Sequence, residues 1–263
     1  MLNARHSTPV PPWSWAVLGG LTGLILTLLC FAPASWLAAL VSQASSGQMQ
    51  WLNARGTVWT GSARLLLSGG VGSRDSATLP GHIQWRLRPG WLALNFQLAA
   101  DCCTQAPLQV RLSTDWGKTQ LQVNDGVSQW PAALLAGLGT PWNTVQATGD
   151  LQLQTQGLSI SWFDNRLTVA GRAELTALGL SSRLSTLKPM GSYRVALNGG
   201  SVPTVALSTI EGSLQLTGSG QWVGSRLRFE GSASALPENE AALSNLLNII
   251  GRRNGARSII TLG

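Results

Sequence analysis

The chain has 263 residues, of which only 11% are charged and 44% are hydrophobic, and its formal net charge is +7. This length accommodates one membrane segment and one domain of about 215–220 residues with its own core. The basic residues are scattered singly, apart from Arg252–Arg253 and the pair Arg86 and Arg88, and no nucleic-acid-binding signature accompanies them. The composition therefore argues against nucleic acid as a partner and favours a β-rich protein with a weakly charged surface.

Residues 15–41 form an apolar run without Lys, Arg, Asp or Glu. Because a helix needs about 20 apolar residues to cross a bilayer, this run predicts a single transmembrane helix. Residues 1–14 then form a short cytoplasmic tail, and the part that follows the run is exported. The expected anchor residues include indoles near both ends of the run, where Trp favours the lipid–water interface; they are Trp15, Leu24, Leu28, Pro33 and Trp36.

A cleavable signal peptide is the alternative interpretation of the same run. Arg5, an apolar stretch and the triplet Ala32–Pro33–Ala34 resemble its three regions, with cleavage before Ser35. The apolar character resumes at once after this triplet, and the run is longer than the roughly 7–15 residues of a signal core. These two features favour an uncleaved anchor, and both interpretations export the remainder.

After a polar linker at 42–50, apolar and polar residues alternate with a period of two from Trp51 onward. Residues 83–98, with a turn at Arg88–Pro89–Gly90, illustrate a hairpin with one dry and one wet face. The pattern recurs roughly a dozen times, which predicts a large antiparallel β-meander over 51–263, curled as a half-barrel or folded as a sandwich. Two stretches break the alternation and predict short helices, at 131–138 and 237–250.

The three cysteines and two histidines give little support for catalysis or metal binding. Cys102 and Cys103 are adjacent, and three arrangements stay open for them: a strained vicinal disulfide, two free thiols or intermolecular bridges. His6 lies in the tail and His82 begins a strand, so the predicted fold offers no His pair for a metal. No nucleophile elbow, phosphate loop or redox motif is present. We expect no enzyme, no metal and no cofactor.

Several segments of the chain, in the right order, resemble the type II secretion system protein N family. They are residues 31–37, 52–63, 83–89, 138–151 and 235–253. The residues that mark the resemblance are Gly56, Trp59, Gly61, Trp85, Pro89, Gly139, Pro141, Pro237 and Gly251.

The resemblance implies a single-pass protein of the bacterial inner membrane, with a cytoplasmic N-terminus and a periplasmic β-domain. It implies an accessory part of the machine that exports folded proteins, associated with the assembly-platform proteins L and M or with protein C, and no catalytic residues. Trp59 and Trp85 are interpreted as core residues.

Two functions follow from these expectations. The first is a non-catalytic scaffold that docks on other secretion subunits through a strand edge or the polar sheet face. The alternative is a membrane-tethered lipid-binding or lipid-transfer protein of AsmA-like type, in which the apolar sheet face holds acyl chains. The two differ in whether the predicted helices close that apolar face.

Overall fold

The computed structural model describes residues 13–70, 75–139, 142–164, 166–224 and 226–263. The chain begins with two helices, continues into one large antiparallel sheet, and carries its remaining helices in the connections between strands. The predicted tail at 1–14 lies almost wholly outside the described residues.

The sequence predicted one continuous helix over 15–41, but the N-terminal apolar run is divided into two helices. It forms α1 (Trp13–Cys30) and α2 (Ala34–Ala44), separated by a short break. The break lies at Pro33, which cannot donate a helical hydrogen bond and disfavours helical geometry in the preceding residue. Strand-like contacts replace the helical ones there, because Pro33 bridges Thr57 and the Val58 N–H donates to the Ala32 carbonyl at 2.9 Å.

Within the described part of the chain, no helix has both the length and the apolar character needed to cross a bilayer. The linker expected at 42–50 is shorter than predicted. Helix α2 runs through Ala44, and the first strand already begins at Met49.

All strand pairs are antiparallel, and the strands follow one another along the sheet nearly in sequence order, so the predicted meander is confirmed. The order is β1-β2-β4-β5-β6-β7-β9-β10-β11-β12-β13-β14-β16-β15, with β3 on β2 and β8 on β9. The strands are β1 (Met49–Gly56), β2 (Thr60–Ser68), β3 (Ser76–Thr78), β4 (Ile83–Gly90), β5 (Ala93–Ala100), β6 (Leu108–Asp115), β7 (Lys118–Val123), β8 (Gly126–Pro131), β9 (Thr148–Phe163), β10 (Arg166–Ser181), β11 (Gly191–Gly200), β12 (Thr204–Gly212), β13 (Leu214–Val223), β14 (Arg226–Ala235), β15 (Arg252–Asn254) and β16 (Arg257–Leu262).

These strands make one open sheet rather than the two sheets of a sandwich, so the sandwich alternative is wrong. Strands β7 and β8 keep the same register against β9, as shown by the pairs Thr119–Trp162 and Gly126–Thr155. They therefore act as one strand that is interrupted at Asn124–Asp125. The Asp125 carboxylate crosses the interruption and accepts the Gly157 N–H at 2.5 Å.

The apolar face of the sheet is covered by helices in two places. One cluster buries Leu243, Leu246 and Leu247 of α4 (Glu240–Ile250) against strands β9 to β16. The other packs Ala34 and Leu37 of α2 against β1 to β5. Both predicted helices exist, but residues Ala132–Leu138 form a 3₁₀ helix, and a 3₁₀ turn at Pro237–Asn239 precedes α4. A further short helix, α3, spans Trp142–Val145.

The two ends of the strands differ in their connections. At one end, here named the turn edge, consecutive strands are joined by turns at 57–59, 91–92, 116–117 and 201–203, and the strand ends Phe163 and Arg166, and Val223 and Arg226, pair with each other. At the opposite end, named the loop edge, longer connections hold the helices 132–138, 142–145 and 240–250 and the loops 101–107 and 182–190. Helix α1 ends beside the first turn of the turn edge.

Candidate docking surfaces

The turn between β1 and β2 joins the N-terminal helices to the sheet. The Trp59 indole N–H donates to the Leu29 carbonyl at 2.7 Å, and the Val58 carbonyl accepts the Trp85 indole N–H at 3.1 Å. The Trp85 ring also lies 4.8 Å from the Trp51 ring, centroid to centroid. This turn therefore ties α1 to the core of the sheet through two indole hydrogen bonds.

Two glycines allow the backbone to pass close to this corner. Gly56 has φ +93°, in the left-handed region that favours glycine, and a Cβ there would lie 2.5 Å from the Thr60 carbonyl oxygen. A Cβ on Gly61 would stand 2.4 Å from the Trp85 ring and 2.5 Å from the Arg55 carbonyl oxygen. The two glycines are therefore explained by the close packing of the β1–β2 backbone on itself and on the Trp85 ring.

The core interpretation holds for one of the two motif tryptophans. Trp85 is buried, with 3% of its surface exposed, and belongs to the cluster that includes Ile83. Trp59 is not a core residue, because it lies in the turn before β2 and is only half-buried. Continuing the two-residue period of β2 back to position 59 predicts the inner face for Trp59, but this period does not continue through a turn.

On the opposite face of the same strands lies a polar groove of about 570 Å³. A smaller hollow of about 300 Å³ shares Arg55, Ser62 and His82 with it. The lining residues of the groove are Arg55, Gly56, Thr60, Gly61, Ser62, His82, Gln84 and Asp101. We name this set the outer groove; it lies beside β1, which ends the strand path.

Asp101 organises the far wall of the outer groove. Its carboxylate accepts the His82 backbone N–H at 3.1 Å and the Gln84 side-chain amide at 3.2 Å. The His82 ring Nδ1 stands 3.9 Å from the same carboxylate. Arg55 and Arg64, by contrast, are exposed and form no ion pair with any residue that the structure describes. The groove therefore offers hydrogen-bond donors and guanidinium charge to an external polar or acidic segment.

The sequence did not single out Arg64 or Asp101 for this surface. Arg64 was visible only as a polar position in an alternating strand. Asp101 comes from the loop after β5, and its meeting with His82 depends on strand pairing across 19 residues. Among the described residues, no group of three or more His, Cys, Asp or Glu side chains could hold a metal ion.

The remaining motif residues serve separate local roles. Pro89 pairs with Leu94 at the end of β4, and Gly139 (φ +82°) ends the 3₁₀ helix. Pro237 begins the 3₁₀ turn before α4, and a Cβ on Gly251 would stand 2.5 Å from the Ile259 carbonyl oxygen. Pro141 lies outside the described residues. Of the motif residues that the structure describes, Gly56, Trp59, Gly61 and Trp85 come together in space at the β1–β2 corner.

The expected anchor residues Trp15, Leu24, Leu28 and Trp36 are all exposed apolar side chains. Pro33, by contrast, caps the start of α2.

The adjacent cysteines are joined as a vicinal disulfide, one of the three arrangements that the sequence left open. Cys102 is exposed and Cys103 is buried. The Cys103 N–H donates to the Ala100 carbonyl at 3.0 Å, and its carbonyl accepts the Gln129 N–H at 2.8 Å. The disulfide therefore lies where the β5–β6 loop meets β8.

A ladder of apolar side chains crosses the middle of the sheet outside both core clusters. Leu94, Leu112, Leu121 and Ile160 are directly opposite one another on β5, β6, β7 and β9. All four are half-buried or exposed, and the two clusters do not include them. This apolar ladder is therefore less covered than the parts of the face beneath α2 and α4.

The family model for the type II secretion system (T2SS) protein N matches residues 47–260, from the approach to β1 to near the end of β16. The chain belongs to this family. No curated protein and no solved structure matches it. Membership of the protein N family makes the chain a component of the type II secretion system, and the family is one of secretion accessories rather than enzymes.

Proposed function

We propose that this protein N is a non-catalytic inner-membrane scaffold of the type II secretion system. Its β-domain docks on other secretion subunits, either the assembly-platform proteins L and M or protein C. The observation that carries this proposal is the outer groove at the β1 end of the sheet, in a chain whose family belongs to the secretion system.

Three properties of this surface suit protein docking. It is formed by paired strands, because Gly61 of β2 lies opposite both Gly56 of β1 and the buried Trp85 of β4. It presents exposed Arg55 and His82, with exposed Arg64 in the adjoining smaller hollow, and these side chains can bind a carboxylate-bearing segment. The neighbouring strand β1 ends the strand path, and an extended segment can add to such an edge by backbone hydrogen bonds.

We further propose that the chain lies at the inner membrane, with its N-terminus in the cytoplasm and its β-domain in the periplasm. The support is that α1 exposes apolar side chains on all sides, such as Val17, Leu21 and Ile25. Retention of the leader is supported by Ala32 and Ala34, which are buried against the β-domain. Cleavage after Ala34 would remove both of these residues from the core.

Photocrosslinking in intact cells tests the docking proposal. A photoreactive residue at Gln84, in the outer groove, is expected to form adducts with L, M or C. The matched control is Ser208, which is also exposed and mid-strand but lies in β12, far along the sheet. Adducts that form equally at both positions, or no subunit adduct at Gln84, would refute the groove as the docking surface.

The location is tested separately by carbonate extraction and by reporter fusions. We expect full-length protein to stay in the membrane pellet at high pH. A C-terminal alkaline phosphatase fusion is expected to be active, because this reporter requires the periplasm. A soluble mature chain that begins at Ser35, or an inactive C-terminal fusion, would contradict the proposed location.

The apolar ladder favours a second candidate function, namely lipid binding. Four neighbouring strands present Leu94, Leu112, Leu121 and Ile160 as a continuous row of partly exposed apolar groups. Native mass spectrometry of the detergent-solubilised protein tests this function. Co-purified lipid that is lost on Leu112→Gln substitution would support it, and a lipid-free protein would contradict it.

A further inference from the structure

We propose that the turn edge of the sheet rests on the surface of an anionic bilayer, as a contact separate from α1. This inference rests on the membrane location proposed above and deepens it. The occupant of the turn edge is the headgroup region of the lipid, and its recognition elements are exposed Trp and Leu side chains flanked by basic residues.

The tips of the turns carry the most exposed large apolar residues of the described chain. Trp116 is 96% exposed and Trp91 is 93% exposed, more than any residue of α1. Further exposed apolar residues mark the other turns and the chain end of this edge: Leu92, Trp162, Phe163, Val202, Val223 and Leu262. Because strands are about 4.8 Å apart, neighbouring hairpin turns follow one another about every 10 Å, so these side chains form a row.

The backbone of the turns does not explain these residue types. Trp116 has φ +41° and Leu92 has φ +54°, in the left-handed region that favours Gly, Asn and Asp. A bulky apolar residue there is disfavoured locally and makes almost no contact with the rest of the chain. Such exceptions to turn chemistry point to a contact outside the molecule, and an indole is well suited to the lipid–water interface.

The turn edge is more basic than the loop edge, which is the difference expected if the turn edge faces an anionic surface. Within three residues of the turn tips the sequence has six basic residues against two acidic ones: Arg55, Arg88, Lys118, Arg166, Arg226 and Arg228 against Asp115 and Asp164. The loop edge has no such excess: it carries the acids Asp101, Asp150, Glu211, Glu238 and Glu240 together with the basic residues Arg183, Lys188, Arg252, Arg253 and Arg257. Basic residues near an anionic leaflet are attracted to it, whereas acids are repelled.

The turn edge is also the edge that continues into α1. The indole of Trp59, in the first turn of the row, is bonded to the Leu29 carbonyl near the end of α1. If α1 lies in the membrane, the first turn is held close to the bilayer surface, and the pairing of the strands places the other described turns and the ends of β9, β10, β13 and β14 at the same end of the sheet.

Spin-label accessibility in the full chain tests this contact. In a Cys30→Ser background, which removes the free thiol, a nitroxide is placed on Ser201→Cys in the β11–β12 turn. The matched control is Thr186→Cys in a loop at the opposite edge, since both side chains are exposed. The protein is reconstituted in vesicles of phosphatidylglycerol and phosphatidylethanolamine, without reductant, so that the vicinal disulfide is kept.

We expect the ratio of oxygen to nickel-chelate accessibility to be several-fold higher at position 201 than at 186. The double variant Leu92→Asn/Trp116→Asn should lower the ratio at 201 toward the value at 186. It should not lower the resistance to unfolding, because Asn suits both turns. Replacing phosphatidylglycerol by phosphatidylcholine should weaken the effect as well.

Each other outcome overturns the inference. Chain that floats with the vesicles while position 201 stays as water-accessible as 186 refutes the turn-edge contact and leaves the proposed membrane location intact. Protection of 201 from both reagents indicates a protein contact, such as a second copy of the chain. Chain that fails to float refutes the membrane location and the contact together.

Discussion

Substitution of Gly61 by Ala tests whether the geometry of the β1–β2 corner depends on close packing. The new Cβ would stand 2.4 Å from Trp85 Cζ2 and 2.5 Å from the Arg55 carbonyl oxygen. Trp85 cannot rotate away freely, because it is buried and its indole N–H is bonded to the Val58 carbonyl. Overpacking of a core costs typically 1–3 kcal/mol, and the backbone contact places this case at about 2–3 kcal/mol.

The matched control is Gly126→Ala, the same chemical change at a strand glycine with no atom within 4 Å of the added Cβ. There we expect no loss of stability and a gain of up to about 1 kcal/mol from the stiffer unfolded chain. The assay is urea unfolding of the full chain in detergent, followed by near-ultraviolet circular dichroism. For a domain of this size, the expected loss of about 2–3 kcal/mol for Gly61→Ala corresponds to a decrease in Tm of about 4–12 °C in a thermal melt.

A third variant separates the ring contact from the backbone contact. Trp85→Phe removes the ring atoms that the new Cβ would meet, so Gly61→Ala should cost less in that background than in the parent chain. Equal losses in both backgrounds would assign the cost to the Arg55 carbonyl. A Gly61→Ala chain as stable as Gly126→Ala would refute the close packing at this corner.

Three other substitutions follow from the packing of the domain. Leu247→Ala should destabilise the chain by about 2–5 kcal/mol in urea unfolding, because this side chain of α4 is fully buried against the sheet, whereas exposed Ile249→Ala should change it by no more than about 0.5 kcal/mol. Burial raises the pKa of the single tyrosine, Tyr193, above its usual value, so stability present below pH ~10 should fall as the pH rises beyond the unfolded-state pKa. Tyr193→Phe should abolish that loss without destabilising the fold at pH 7, since the hydroxyl has no hydrogen-bond partner among the described residues; a lower unfolding midpoint would contradict this. Cys102→Ser should lower stability only toward the low end of the roughly 0–5 kcal/mol range for disulfides, because the bridge closes no chain segment; a large drop in the urea midpoint would contradict the entropic argument.

Alternation predicted the meander because one face of each strand is buried and the other is wet. Residues 83–98 illustrate this, since Ile83 and Trp85 are buried while Gln84 and Arg86 are exposed. The number of strands was underestimated, at a dozen against sixteen, partly because some short strands, such as β15, contain too few residues to show a period. Most strands pair with the strand that precedes or follows them in the sequence, as expected for hairpin connections, so the pairing could be predicted as well.

Other features depended on contacts that a period cannot reveal. The apolar run at 15–41 is uniform in hydrophobicity, so only Pro33 indicated where the helix breaks. Trp59 was assigned to the core by extending alternation through a turn, whereas its indole bonds to Leu29, 30 residues away. The outer groove needed the pairing of β2 with β4 and the arrival of Asp101 from a later loop. The local sequence pattern was enough to predict which face of each strand is buried and where the turns lie. The outer groove could not be predicted, because it depends on pairing between residues that are distant in the sequence.

The proposed membrane location of α1 and the proposed contact of the turn edge with lipid require the same orientation of the sheet, with the turn edge toward the bilayer. The positions of the charged residues agree with this orientation. Strands β9 and β10 have 16 residues each, whereas β12, which carries Glu211, has nine. At about 3.3 Å per residue the loop edge therefore stands roughly 50 Å from the turn edge at β9 and β10 and roughly 25–30 Å at β12. If the turn edge rests on the bilayer, Glu211 and Glu238 of the loop edge lie several Debye lengths of about 8 Å from the lipid charges and are not repelled. The opposite orientation would press these acids onto an anionic surface while α1, tied to the turn edge through Trp59, pulled the chain the other way. Only with the turn edge toward the membrane do the anchor, the exposed indoles and the charge asymmetry favour the same arrangement.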